Sequence, residues 1–206
     1  MKYLFTLLLL VTLSPLFSQN TYTVDIEDEK KNNRLMLYAV NKNLVDLDVS
    51  IEVEGTGFRQ RKGVPRKYRV PATSKVNILS LVIERGKQPV YTYTLDVSDE
   101  LSRRVIHADY ELIKIDPKVP ITLFLPDSCS AKCDSLIGQL DRTPYNYRKV
   151  KVSENENVKN QISGSLVGGE ERLGKMDTPI VMLGGKMYLL IETYEDLKAR
   201  LEESDE

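Results

Sequence analysis

Tryptophan is absent from this 206-residue chain, histidine occurs once, as His107, and cysteine twice, as Cys129 and Cys133. With so little imidazole, no histidine is available for a Ser-His-Asp triad, and neither a nucleophile elbow nor a Walker loop occurs. Neither sign of charge dominates: 29 basic residues stand against 30 acidic ones, so the electrostatic footprint of a nucleic-acid binder is missing. The short basic run RQRKGVPRK (59–67) reads as a solvated hairpin loop. Carboxylates are abundant but fall on alternating strand faces or solvated helices, so a glycosidase reading would rest on their number alone. No long apolar run occurs after the first twenty residues, so no stable membrane insertion of a mature chain is expected.

The opening residues are different. MKYLFTLLLLVTLSPLFSQ (1–19) has a lysine at position 2, an apolar run from Tyr3 to Leu13, a Ser14-Pro15 break and small or polar residues near Ser18 and Gln19. That is the three-part pattern of a secretory signal peptide. It has no cysteine for lipid attachment, and its apolar run is about half of what spans a bilayer. The expectation is a chain exported to the periplasm or beyond. In an oxidising compartment a lone nearby cysteine pair tends to close into a disulfide.

From residue 20 to about 115 the sequence repeats every second residue. In LVDLDVSIEVE (44–54), Val45, Leu47, Val49, Ile51 and Val53 alternate with Asp46, Asp48, Ser50, Glu52 and Glu54. One face is apolar and the other acidic, as a half-buried antiparallel strand requires. YTVDIE (22–27), RLMLYAV (34–40), KYRV (67–70), KVNILSLVIE (75–84) and VYTYTLDV (90–97) read likewise, separated by turn signals such as KKNN and ERGKQP. This predicts an all-β sandwich. Without tryptophan there is no Cys–Trp–Cys core, so it is Ig-like in architecture only. In short stretches, YRVPATSKVNILSL and HADYEL (107–112), this half resembles the β-rich module ahead of exported lysostaphin-type zinc peptidases. Those enzymes need several histidine ligands, and His107 alone cannot supply them. His107 reads as a partly buried or surface side chain.

KIDPKVP (114–120) reads as a linker, after which strand and helix patterns alternate to the end of the chain. ITLFL (121–125) is a short buried strand. Cys133, Leu136, Ile137 and Leu140 fall on one helical stripe. YNYRKVKV (145–152) is a strand and ENVKNQISGSLV (156–167) a helix. PIVML (179–183), Gly184-Gly185 and KMYLLI (186–191) form a hairpin, and Thr193 with Asp196 caps a last helix.

This order, with Cys129 four residues past the first strand and Thr178-Pro179 ahead of the third, resembles a glutaredoxin or thioredoxin domain over residues 119–206. The resemblance implies an α/β thioredoxin-like fold after the sandwich, Cys129 as attacking thiol, Cys133 as resolving thiol, and a cis Thr178–Pro179 bond. That bond would present the Thr178 backbone to an extended substrate and keep metal from bridging the thiols. No cofactor is implied, and no glutathione site is identifiable. The partner implied is a protein thiol or disulfide.

The motif departs from that family's norm of two intervening residues, since Ser130, Ala131 and Lys132 make three. Positions i and i+4 of a helix still place Cα atoms ~6 Å apart, within disulfide reach. A helix start and Lys132 favour the Cys129 thiolate, whereas Asp127 and Asp134 oppose it. Three readings stay open: a working dithiol, a passive disulfide in a binding or envelope module, or a thioredoxin-like Cu(I) chaperone. The last resembles Sco-type proteins in spacing but lacks their distant histidine in residues 119–206.

Overall fold

A computed structural model describes residues 22–60, 65–129 and 131–204. The signal-peptide expectation for residues 1–19 lies outside the described residues, as do Ser130 and residues 61–64 of the basic loop.

Thirteen strands form three sheets among the described residues. The first sheet has the order β1 (Asp25–Lys31), β2 (Arg34–Asn41), β6 (Ser74–Ile83), β4 (Phe58–Arg59), with β9 (Tyr110–Leu112) also on β6. All its pairs are antiparallel. Asn32 and Asn33, both at positive φ, supply the left-handed two-residue turn that lets β1 fold straight back on β2. The second sheet runs β7 (Val90–Ser98), β3 (Leu47–Thr56), β5 (Tyr68–Val70), β8 (Ile106–His107). Here β8 lies parallel to β5.

These two sheets close on one core. Leu35, Leu37 and Ala39 of β2 and Val76, Ile78 and Leu81 of β6 meet Leu47, Val49, Ile51 and Val53 of β3. Period-two alternation, reset between Ile78 and Leu81 of β6 by a bulge opposite Leu37 and Tyr38, aims these side chains to the same side, and their removal from water is the main stabilising term. The acidic face of β3 is not uniformly wet. Asp48 is only 1% exposed, closed over by the Arg69 guanidinium, whose Nε lies 2.6 Å from its Oδ1.

The third sheet has the order β11 (Arg148–Lys151), β10 (Ile121–Leu125), β12 (Ile180–Leu183), β13 (Lys186–Tyr188). Only β10 and β11 are parallel; the other two pairs are antiparallel. Gly184 and Gly185, at φ 54° and 90°, form the two-residue turn between β12 and β13. Helices α1 (Ala131–Asp141) and α4 (Tyr194–Ser204) bring Leu136, Leu140 and Leu197 against Leu123 and Val181. Helices α2 (Glu156–Ser165) and α3 (Gly169–Gly174) bring Ile162, Leu166 and Leu173 against Phe124 and Ile180. The sheet is thus apolar on both faces, which is why ITLFL carries no polar alternation.

This corrects the expected fold class, an Ig-like sandwich followed by an α/β thioredoxin-like domain. The structure is 41% strand and 23% helix, with three mixed or antiparallel sheets and four short helices, and no thioredoxin-type α/β fold is evident. The physical reason lies in pairing direction. The order of elements along a chain does not fix which strands pair or which way they run. Long-range contacts gave one parallel pair in each of two sheets. The cis expectation at Thr178–Pro179 is corrected too, since no described peptide bond is cis.

The linker also differs from expectation. Ile113 N donates to Thr73 O at 2.9 Å, while Ile115 bridges in parallel to Tyr145. Lys114 Nζ donates to the carbonyls of Asp141 and Thr143 at the end of α1. Beyond it, Asn146 Nδ2 donates to Asp116 Oδ1 at 2.8 Å and Val119 packs against the core of the third sheet, so the segment is tied down rather than a plain connection.

Candidate functional site

Strand β10 ends at Leu125 because Pro126 cannot donate to the ladder. Pro126 O then accepts from Cys129 N at 3.0 Å, a tight turn that delivers Cys129 just ahead of α1. Cys133 sits in the first turn of that helix. The two are joined as a disulfide with a Cα separation of 5.7 Å, matching the helical i to i+4 geometry. Both cysteines are buried, Cys129 at 8% exposed and Cys133 at 2%. Cys133 belongs to the helix stripe that packs on the sheet, whereas Cys129 lies in a loop whose neighbours Asp127 and Ser128 are exposed.

Two side chains tie this loop to the chain before β12. The Ser128 hydroxyl donates to Met176 O. Lys132 Nζ lies 3.0 Å from Asp177 Oδ2 and 2.9 Å from Glu192 Oε1. The hydrogen bond to Glu192, followed by that to Asp177, holds the Lys132 ammonium above its ordinary range. Lys132 in turn holds the Asp177 carboxyl below its ordinary range. The charge that the sequence offers to Cys129 is therefore already matched by two carboxylates. Lys132 acts as a clamp across the cysteine loop rather than as an unopposed positive neighbour.

Thr178 and Pro179, implied as substrate-binding, follow directly after the clamped Asp177. Both are buried, and the Thr178 hydroxyl donates to Leu189 O at 3.0 Å. Their side chains hold β12 to the segment after β13, leaving backbone as what they can offer a ligand. A hollow of about 350 Å³ opens on another side of the cysteine loop, lined by Pro126, Asp127, Ser153, Glu156, Lys159 and Glu170 among others. It reaches within two residues of Cys129.

Sequence reasoning brought the two cysteines together but missed the clamp. Lys132 was visible inside the motif, and Asp177 adjoins Thr178-Pro179. Glu192 carries no local signal at all; only the folding of α4 and its preceding segment beside α1 places it there. His107, on β8, is exposed. Among the described residues, no cluster of three or more His, Cys, Asp or Glu side chains is arranged to hold a metal ion.

No protein-family model, curated protein or solved structure matches this chain.

Proposed function

We propose that the chain is an exported thiol–disulfide exchange protein acting on another exported protein through Cys129 and Cys133. The observation that carries this reading is the closed Cys129–Cys133 bridge at the end of β10. Both cysteines are buried, but Cys129 lies in a turn beside exposed Asp127 and Ser128, whereas Cys133 lies within the helix stripe. Exchange needs an attackable outer sulfur and an inner partner that can leave and return.

From the bridged state the step is as follows. A substrate thiolate attacks Cys129 Sγ, Cys133 leaves as thiolate, and a mixed disulfide forms. The second substrate thiolate then attacks its own sulfur in that bond, and Cys129 leaves. Two electrons pass from the substrate dithiol to the pair, and the substrate gains a disulfide. The reverse sequence reduces a substrate disulfide. The start of α1 stabilises the departing thiolates through its unpaired backbone N–H groups. The hollow beside Pro126 and Asp127, with the Met176–Pro179 segment held by Ser128 and Lys132, supplies the contact surface for the substrate chain.

A second reading is a passive bridge in a binding module, favoured by the near-complete burial of Cys133. Two measurements separate the readings. Exchange predicts a reduction potential above about −300 mV, the level below which structural bridges lie. It also predicts that Cys133→Ser, with Cys129 free, traps mixed disulfides. A lower potential with no trapped species leaves the passive bridge.

A further inference from the structure

Sheet edges expose unpaired N–H and C=O groups, and proteins that remain monomeric blunt them with charge, brevity or cover. Among the described residues, the outer sheet edges follow that rule with one exception. Strand β1 reads DIEDEKK, and β11 reads RKVK. Strands β4, β8, β9 and β13 have three residues or fewer. Strand β7, at the end of the second sheet, has nine residues, VYTYTLDVS, with one charge. That charge, on Asp96, is met by Lys67 at 3.4 Å within the same sheet. No described strand pairs with the outer side of β7. Val90 is 69% exposed and Tyr93 46%. Such a long, near-neutral edge rich in β-branched and aromatic residues is a strand-addition site.

We propose that β7 pairs with β7 of a second copy of this chain, antiparallel about a twofold axis at Thr94, joining two four-stranded sheets into one of eight. The sequence is self-complementary in that register, the one that uses all nine residues. Thr94 faces Thr94, Tyr93 faces Leu95, Thr92 faces Asp96 and Tyr91 faces Val97. Between Tyr91 and Val97 aromatic–aliphatic and polar–polar pairs thus lie opposite each other, Val90 meets Ser98 at the two ends, and the only acidic side chain meets a threonine rather than its own copy. A twofold contact must be self-complementary in this way. The surface is on a different sheet from the cysteine pair, so the inference stands apart from the proposed exchange activity.

The test is sedimentation equilibrium of the purified protein at micromolar concentration, with Thr94→Lys and Thr94→Glu variants. Thr94 is exposed, so unchanged far-UV circular dichroism is expected for both. Wild type should be dimeric. Each variant places two like charges face to face at the axis and should raise the dimer dissociation constant by roughly fivefold or more. Mixing the two variants should restore dimers and give mixed pairs in excess of a random distribution. A monomeric wild type overturns the proposal. So do variants that dimerise as tightly as wild type, or a mixture showing no preference for mixed pairs.

Discussion

In the first two sheets the deepest polar groups are Asn41, Ser74 and Asp48, and each is closed off by partners; the Ser74 hydroxyl donates to Pro71 O at 2.7 Å. The Asn41 amide donates to Val45 O at 2.8 Å and accepts from Asn43 N at 2.9 Å. Asp48 accepts from Arg69 and from Ser102 N, each at 2.6 Å. At the end of the third sheet the reactive groups are two bonded sulfurs, of Cys129 in a turn and of Cys133 at the start of α1. The first region uses buried polarity to fix loops onto a large core. The second has two smaller cores on either side of one sheet and keeps its bridge at the sheet's end. A buried polar group with every bond satisfied cannot easily change state. A disulfide with one cysteine in a turn flanked by exposed residues can.

That contrast can be broken at several points. The largest effect is expected from Asp48→Ala, which leaves Arg69 beside an empty buried site and frees the Ser102 loop. Urea unfolding should show a loss of about 3 kcal/mol, and a change below ~1 kcal/mol would mean that Asp48 is wetter than its surroundings imply. Reducing the Cys129–Cys133 bridge should cost less. A loop closed over a separation of four residues constrains the unfolded chain by only about 2 kcal/mol. Hydrogen exchange should place that loss in β10 to α4 and leave β2, β3 and β6 unchanged. Exchange loss spreading into the first two sheets would show that the bridge supports the whole molecule.

The smallest effect concerns the clamp and is read through pH. Asp177 is held below the ordinary carboxylate range by the hydrogen bond from Lys132, then by its charge. Its contribution is therefore full above the unfolded carboxyl value, near 4, and is lost as pH falls through the depressed folded value. Wild type should lose stability more steeply than Lys132→Gln below about pH 4, with the two profiles converging in acid. Parallel profiles would remove Asp177 from the clamp. The exposed setting of these groups keeps the difference small and salt-sensitive. A faster modification of Cys129 by alkylating reagent in reduced Lys132→Gln is expected from the same release.

The element positions were largely legible in the sequence because they rest on local rules. ITLFL is a strand because four apolar residues and one β-branched threonine between Pro120 and Pro126 have no helical partner stripe. Asn155 caps α2 by accepting from Val158 N at 3.1 Å. Thr193 Oγ1 accepts from Asp196 N at 3.2 Å at the start of α4. Helix α3 was not legible: Gly168 and Gly169 read as a turn, and they do sit at positive φ. The short helix that Gly169 opens is held by Leu173, buried in one cluster with Ile162, Phe124 and Ile180, and Phe124 lies far outside any local window of sequence. The clamp was hidden for the same reason, since Lys132 and Glu192 lie sixty positions apart.

Hydrophobic period, turn residues and the four-position cysteine spacing determined the longer strands, three of the four helices and the reach of the sulfur bridge, because each depends on neighbours within one or two turns of chain. Strand direction, the three-sheet arrangement, the trans Thr178–Pro179 bond and the burial of Asp48 were decided only in three dimensions. Each depends on which distant backbone or side chain arrives alongside, and the order of residues along a chain does not state that.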